Sequence, residues 1–131
     1  MKAKRYLGDS DLLIKFLRGD LAARDFFTTT DPDEVAYSVV TYLEVAGFEF
    51  ARDPRDARTV QQLFGKAAVL PFTAAMARRA ARVQGQLVRG NQRMSVTDLQ
   101  IAATAEAHHL VLVTRNTGHF GLYAAVELQR W

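Results

Sequence analysis

The chain has 131 residues, 49% of them hydrophobic and 24% charged, the size and balance of one domain that buries its own core. It contains no cysteine, which excludes disulfides and thiolate metal sites. Lys and Arg total 17 against 14 Asp and Glu, and a net charge of +3 suits an anionic partner without requiring one.

Residues 4–8 read as an opening strand. Asp9 or Ser10 then caps a helix carrying Leu12, Leu13, Phe16 and Leu17, which stops at Gly19. A second helix is expected over 20–28 with Leu21, Phe26 and Phe27 turned inward, and a short strand over 34–38. From Val40 the period changes, and Val40, Leu43, Gly47 and Phe50 follow helical spacing until Asp53-Pro54. Another helix runs through Leu63, and Ala67–Leu70 reads as a strand. Met76, Ala80, Val83 and Leu87 share one face of a long helix. A further helix spans Thr97 to about His108, and the unbroken run Leu110–Val113 has the character of a strand buried on both faces. A last strand is expected near Ala124–Leu128. Such alternation predicts a single α/β domain over 1–131, with a mostly parallel sheet between helical layers. Residues 1–18 do not form a signal peptide, because Asp9 and Asp11 interrupt the apolar run after Lys2, Lys4 and Arg5. No apolar stretch approaches the roughly 20 residues that span a bilayer. The expectation is a soluble, cytoplasmic protein without membrane contact.

In parallel sheets, ligands bind beyond the carboxyl ends of the strands. Asp9 directly follows the first strand, Glu44 lies one turn into the helix after the second, Asp98 opens the helix before Leu110–Val113, and Asn116 follows that strand. Two readings fit these positions. Asp9 and Asp98 are helix caps, or the acids converge. Two charges ~4 Å apart repel by about 4 kcal/mol at an effective dielectric of 20, so converging carboxylates call for a cation or for raised pKa values. Hard divalent ions such as Mg²⁺ and Mn²⁺ prefer these oxygen donors and support phosphodiester hydrolysis.

Four segments resemble the motifs of PIN domains, in order and spacing. They are Tyr6-Leu7-Gly8-Asp9-Ser10 with its following apolar helix, Ser38-Val39-Val40-Thr41-Tyr42-Leu43-Glu44, Thr97-Asp98-Leu99-Gln100-Ile101-Ala102-Ala103, and Leu112-Val113-Thr114-Arg115-Asn116-Thr117-Gly118-His119-Phe120. Within that family they are most similar to the VapC toxins. The resemblance implies a PIN-like three-layer fold and a metal-dependent endoribonuclease, the toxin of a type II toxin–antitoxin pair. It implies that Asp9, Glu44 and Asp98 hold Mg²⁺ or Mn²⁺, that Asn116 steadies the site, and that Ser10 and Thr114 orient carboxylates or water. It further implies an RNA substrate, a homodimer and a small antitoxin whose C-terminal segment covers the acids. Arg115, beside the acids, is a candidate for the scissile phosphate. The departure is at the fourth motif: many PIN domains carry an acid at the position of Asn116 or His119, so one well-held ion is expected here.

Other readings stay open. One is a catalytically weak PIN-like module that binds RNA or protein. A DNA nuclease of this fold carries long insertions and more acids. A phosphorelay receiver needs a late lysine, and none follows Lys66. Arg78, Arg82 and Arg89 form a stripe that either tracks an RNA backbone or is a solvated face. His108 and His109 suit a helix end. His119 is a turn residue, a ligand or a proton relay. Tyr42, Phe48, Phe50 and Phe64 build the core or a dimer face, and Trp131 docks on the body or meets a partner.

Overall fold

Residues 2–131 are described by a computed structural model of the chain. Five short strands form one sheet: β1 (Tyr6–Gly8), β2 (Val35–Ser38), β3 (Ala68–Leu70), β4 (Val111–Val113) and β5 (Leu128–Gln129). All pairings are parallel and the order is β3-β2-β1-β4-β5, so β1 lies at the centre. Seven helices connect them: α1 (Ser10–Leu17), α2 (Leu21–Thr29), α3 (Val39–Arg52), α4 (Ala57–Phe64), α5 (Ala74–Arg89), α6 (Val96–Ala107) and α7 (Thr117–Phe120).

Successive strand residues face opposite sides of the sheet, and the two cores follow that alternation. Leu7, Ala36 and Leu112 pack with Met76, Ala80 and Val83 of α5 and Leu99, Ile101 and Ala102 of α6. Val35, Tyr37 and Val113 pack on the other face with Leu12, Leu13, Phe26, Val45, Val60 and Phe64 from α1 to α4. The result is the expected three-layer α/β arrangement, helices over both faces of a parallel sheet. Short polar side chains start the helices. Asp9, Asp20, Ser38, Asp56, Thr73 and Ser95 each accept a backbone N–H from the first turn.

Several boundaries differ from the sequence reading. The first strand begins at Tyr6, and a 3₁₀ turn at Pro32–Glu34, capped by Asp31, precedes β2. The last strand is two residues at 128–129 rather than 124–128. Tyr123, 1% exposed, donates its hydroxyl to Glu106 at 2.7 Å, and the anchored segment turns before it extends. The short helix α7 carries no apolar repeat long enough to signal it. Leu21 is 77% exposed, since it is the first residue of α2 and faces outward beside its cap. The inward face of α3 is Thr41, Val45, Ala46 and Glu49, whereas Leu43 lies 71% exposed. Thr41 meets the Ser10 hydroxyl and Glu49 pairs with Arg52, so polar partners hold the buried face and leave apolar side chains outside.

Gly8 ends β1 directly before Asp9. A Cβ there would stand 2.8 Å from Cε1 of Tyr37 and 3.3 Å from Cδ2 of Leu12, and both of those side chains are buried. Gly8→Ala is expected to destabilise the protein by roughly 1–3 kcal/mol through overpacking. Denaturant unfolding checks this, and an unchanged midpoint would show that Tyr37 can retreat.

Candidate functional site

Strand order reverses on either side of β1. The chain runs from β1 outward to β2 and β3, then returns on the other side to β4 and β5. Connections leaving β1 and β4 therefore diverge and open a crevice at the carboxyl edge, the usual ligand position in such sheets. Asp9 stands at that point. Its amide donates to the Val113 carbonyl at 3.2 Å, extending the ladder one step past β1. Its Oδ1 accepts the Leu12 amide at 2.9 Å, so Asp9 is the N-cap of α1. The residue is 4% exposed. Burial pushes its carboxyl up to about 6. The Thr114 side chain and the Leu12 amide oppose that shift, and the nearby Asp11 charge adds to it.

The remaining candidates are tethered to this edge. The Ser10 hydroxyl donates to Oε1 of Glu44 at 2.5 Å and lies 3.2 Å from the Thr41 hydroxyl. Glu44 is otherwise exposed on α3. Asp98 is not a cap. Ser95 caps α6 by accepting the Asp98 amide, which leaves the Asp98 carboxylate out of the cap. Oδ2 of Asp98 lies 3.9 Å from Nδ1 of His119, and that nitrogen is 2.8 Å from the Asn116 amide nitrogen. The Asn116 backbone N–H donates to the Thr114 hydroxyl at 2.9 Å. One chain of contacts thus runs from Asp98 through His119, Asn116 and Thr114 to Asp9, and on through Ser10 to Glu44.

The acids share an edge, but they do not form a closed cage. Among the described residues, no group of three or more His, Asp or Glu side chains converges as a metal site. Mutual repulsion favours such spacing, and Asp9 and Glu44 are each held by a neutral donor, the Leu12 amide and the Ser10 hydroxyl, rather than by another acid. The donor set nevertheless fits a hard divalent cation, being all oxygen and anionic. None of the ion pairs among the described residues brings a Lys or Arg to Asp9, Glu44 or Asp98. Asp9, Asp98 and Glu44 are the residues that would hold such an ion if they came together.

Arg115, the candidate for the scissile phosphate, has a partner within the chain. Its guanidinium donates to Oδ1 of Asp20 at 2.8 Å and lies 4.0 Å over the Trp131 ring, so its charge is already matched. The partner is 95 residues away in sequence, and no local signal announces it. Trp131 docks on the body, with its indole nitrogen buried. Thr41 was missed as well; its signal is a polar residue three before Glu44 on an otherwise apolar helix. Arg78, Arg82 and Arg89 are exposed on α5, while neighbouring Arg79 is tied to Glu106 by three hydrogen bonds. His108 caps the end of α6, and His109 turns the chain with φ 54°. Tyr42 and Phe50 are part-exposed, whereas Phe64 is core. A hollow of about 580 Å³ lies elsewhere, beside Tyr37, Gln61 and Lys66. The acids occupy an open edge instead, which admits a long polymer better than an enclosed pocket does.

Keeping Asp9 ionised at neutral pH costs the fold on the order of 3 kcal/mol, at about 1.4 kcal/mol per tenfold change in proton affinity. The folded chain binds this proton more tightly than the unfolded one. Stability from this group is therefore present at low pH and is lost as pH rises from about 4 through about 6. Asp9→Asn keeps the cap and removes the charge. In chelator it is expected to melt higher than the native chain at pH 7, with a smaller gain at pH 4. Equal gains at both pH values, read by thermal melts, would contradict the assigned cause.

The PIN-domain family profile matches residues 6–125. Ribonuclease VapC10 of Mycobacterium tuberculosis is 37% identical over 122 residues, covering 92% of this chain and 90% of that protein. Among solved structures, a toxin–antitoxin complex from Klebsiella pneumoniae contains a chain 26% identical, with TM-score 0.76 over 92% of this chain and 94% of that one. The DNA-bound VapBC of Salmonella typhimurium contains one with TM-score 0.83 at 18% identity, over 98% of both chains, a likeness of fold. The matched span takes in all four motif segments, and the relative extends across nearly the whole sequence. The chain belongs to the PIN-domain family.

Proposed function

We propose that the chain is an endoribonuclease, the toxin of a type II toxin–antitoxin pair, and that it hydrolyses RNA phosphodiester bonds at the Asp9 edge with Mg²⁺ or Mn²⁺. The observation that carries this reading is a buried carboxylate at the strand-order reversal with no cationic partner, linked to Glu44 through Ser10 and to Asp98 through Thr114, Asn116 and His119. The identity to a ribonuclease of the VapC group supports the RNA substrate.

Asp9 and Asp98 would hold the ion, and Glu44 would join them directly or through water. When bound, such an ion lowers the pKa of water and offsets charge on the phosphate. The chain's own residues prepare the edge. Thr114 steadies Asp9 from one side while its oxygen accepts the Asn116 amide. Ser10 keeps Glu44 turned toward the crevice rather than into solvent. Asn116 contributes a neutral amide where an acid would add charge, which suits a single resident ion. Partners are a small antitoxin and a second copy of the chain. Supporting this, Val39, Tyr42, Leu43 and Phe50 on α3 and Val96 at the start of α6 are apolar and exposed close to the acids in sequence.

Asp9→Ala and Asp98→Ala should each lower Mg²⁺-dependent RNA cleavage on the order of a hundredfold, and Ser10→Ala by about tenfold, in the range for altered metal shells. Cleavage undiminished in the Asp variants would remove this mechanism. A second reading, a PIN module that binds RNA without cutting it, draws on Asn116 and on the open spacing of the acids. It predicts RNA binding by the native chain with no cleavage at any Mg²⁺ or Mn²⁺ concentration.

A further inference from the structure

We infer that Trp131 is a positioning residue for Asp9, its indole N–H being the donor that orients the carboxylate toward a bound divalent cation. This rests on the reading of Asp9 as a metal ligand.

The strand register puts the two residues at one edge. Gly8 is opposite Val113, and Val113 is opposite Gln129. One step beyond these lie Asp9, Thr114 and Arg130, and Trp131 follows at once. The ring is held by its neighbours. The Arg115 guanidinium lies 4.0 Å over its face and is itself tied to Asp20, while Arg130 donates to the Arg115 carbonyl at 2.9 Å. The other side of Trp131 packs against the core that contains Leu12, Leu13 and Val113, the layer immediately behind Asp9.

Within this clamp the indole nitrogen is fully buried, and no acceptor meets hydrogen-bond geometry. A buried donor without a partner is costly and rare in folded proteins, so it calls for a function. Trp131 is also among the side chains that favour the ionised form of Asp9. An indole N–H only donates. It neither ligates a cation nor takes a proton, and beside a carboxylate it can only orient and hold the anion. Metal ligands commonly depend on such outer donors.

Trp131 is the only tryptophan, so its fluorescence reports on the site without labelling. The test is titration of the whole chain with MnCl₂, followed by fluorescence and by calorimetry, for the native protein, Asp9→Asn and Trp131→Phe. The phenyl ring keeps the stack under Arg115 and lacks the N–H. Saturable quenching is expected in the native protein and is expected to vanish in Asp9→Asn. Trp131→Phe should bind Mn²⁺ about tenfold more weakly, with a melting temperature in chelator within about 3 °C of native. If Trp131→Phe binds Mn²⁺ with native affinity while Asp9→Asn does not bind, the inference falls and the metal reading stands. Calorimetric binding by the native protein with no change in its fluorescence overturns the inference in the same way, even if Trp131→Phe does not fold. If Asp9→Asn binds as well as the native chain, the reading of Asp9 falls and this inference falls with it.

Discussion

A carboxylate buried without a counter-charge is the constraint around which this fold is arranged. Asp9 sits where β1 ends and α1 begins, at the place where the sheet's connections diverge. Several of its neighbours make that burial tolerable. Gly8 lets the neighbouring strand's Tyr37 lie flat against the backbone, the Leu12 amide caps one oxygen, and Thr114 contributes from β4. These donors are neutral, so they reduce the penalty without abolishing it. The remaining cost is a demand for positive charge, met by a proton at low pH and, under the proposed function, by a divalent cation at neutral pH.

The same constraint explains how the other acids are held. Glu44 and Asp98 are not pressed against Asp9, where repulsion would raise the cost further. Glu44 is reached through Ser10 in one direction, and Asp98 through Thr114, Asn116 and His119 in the other. Asn116 in place of an acid keeps the total negative charge low enough for an open edge to persist. Arg115, on the segment that follows β4, is matched with Asp20 and does not neutralise the crevice.

Much of this was legible in the sequence, for identifiable reasons. The run Leu110–Val113 and the Met76–Val83 stripe signal burial through periodicity, and burial decides where they go. The placement of Asp9 and Asn116 just after strands followed from the rule for parallel sheets. Elsewhere, tertiary partners overrode local pattern. The apolar spacing of Val40, Leu43 and Phe50 suggested an inward face, yet Thr41 and Glu49 turn inward because Ser10 and Arg52 satisfy them. Asp98 resembles a cap until Ser95, three residues earlier, takes that role. The Arg115–Asp20 pair and the docking of Trp131 join distant segments, and no window of sequence contains both partners.

The charge state of Asp9 can be read directly by carbon NMR of its side-chain carboxyl across pH, with chelator and then with Mg²⁺. In chelator the midpoint is expected at about 6, set by burial. With Mg²⁺ it should fall well below the ordinary carboxylate value, as the ion stabilises the charged form. An Asp9 midpoint in the ordinary range that Mg²⁺ leaves unmoved would contradict both the burial penalty and the proposed metal site.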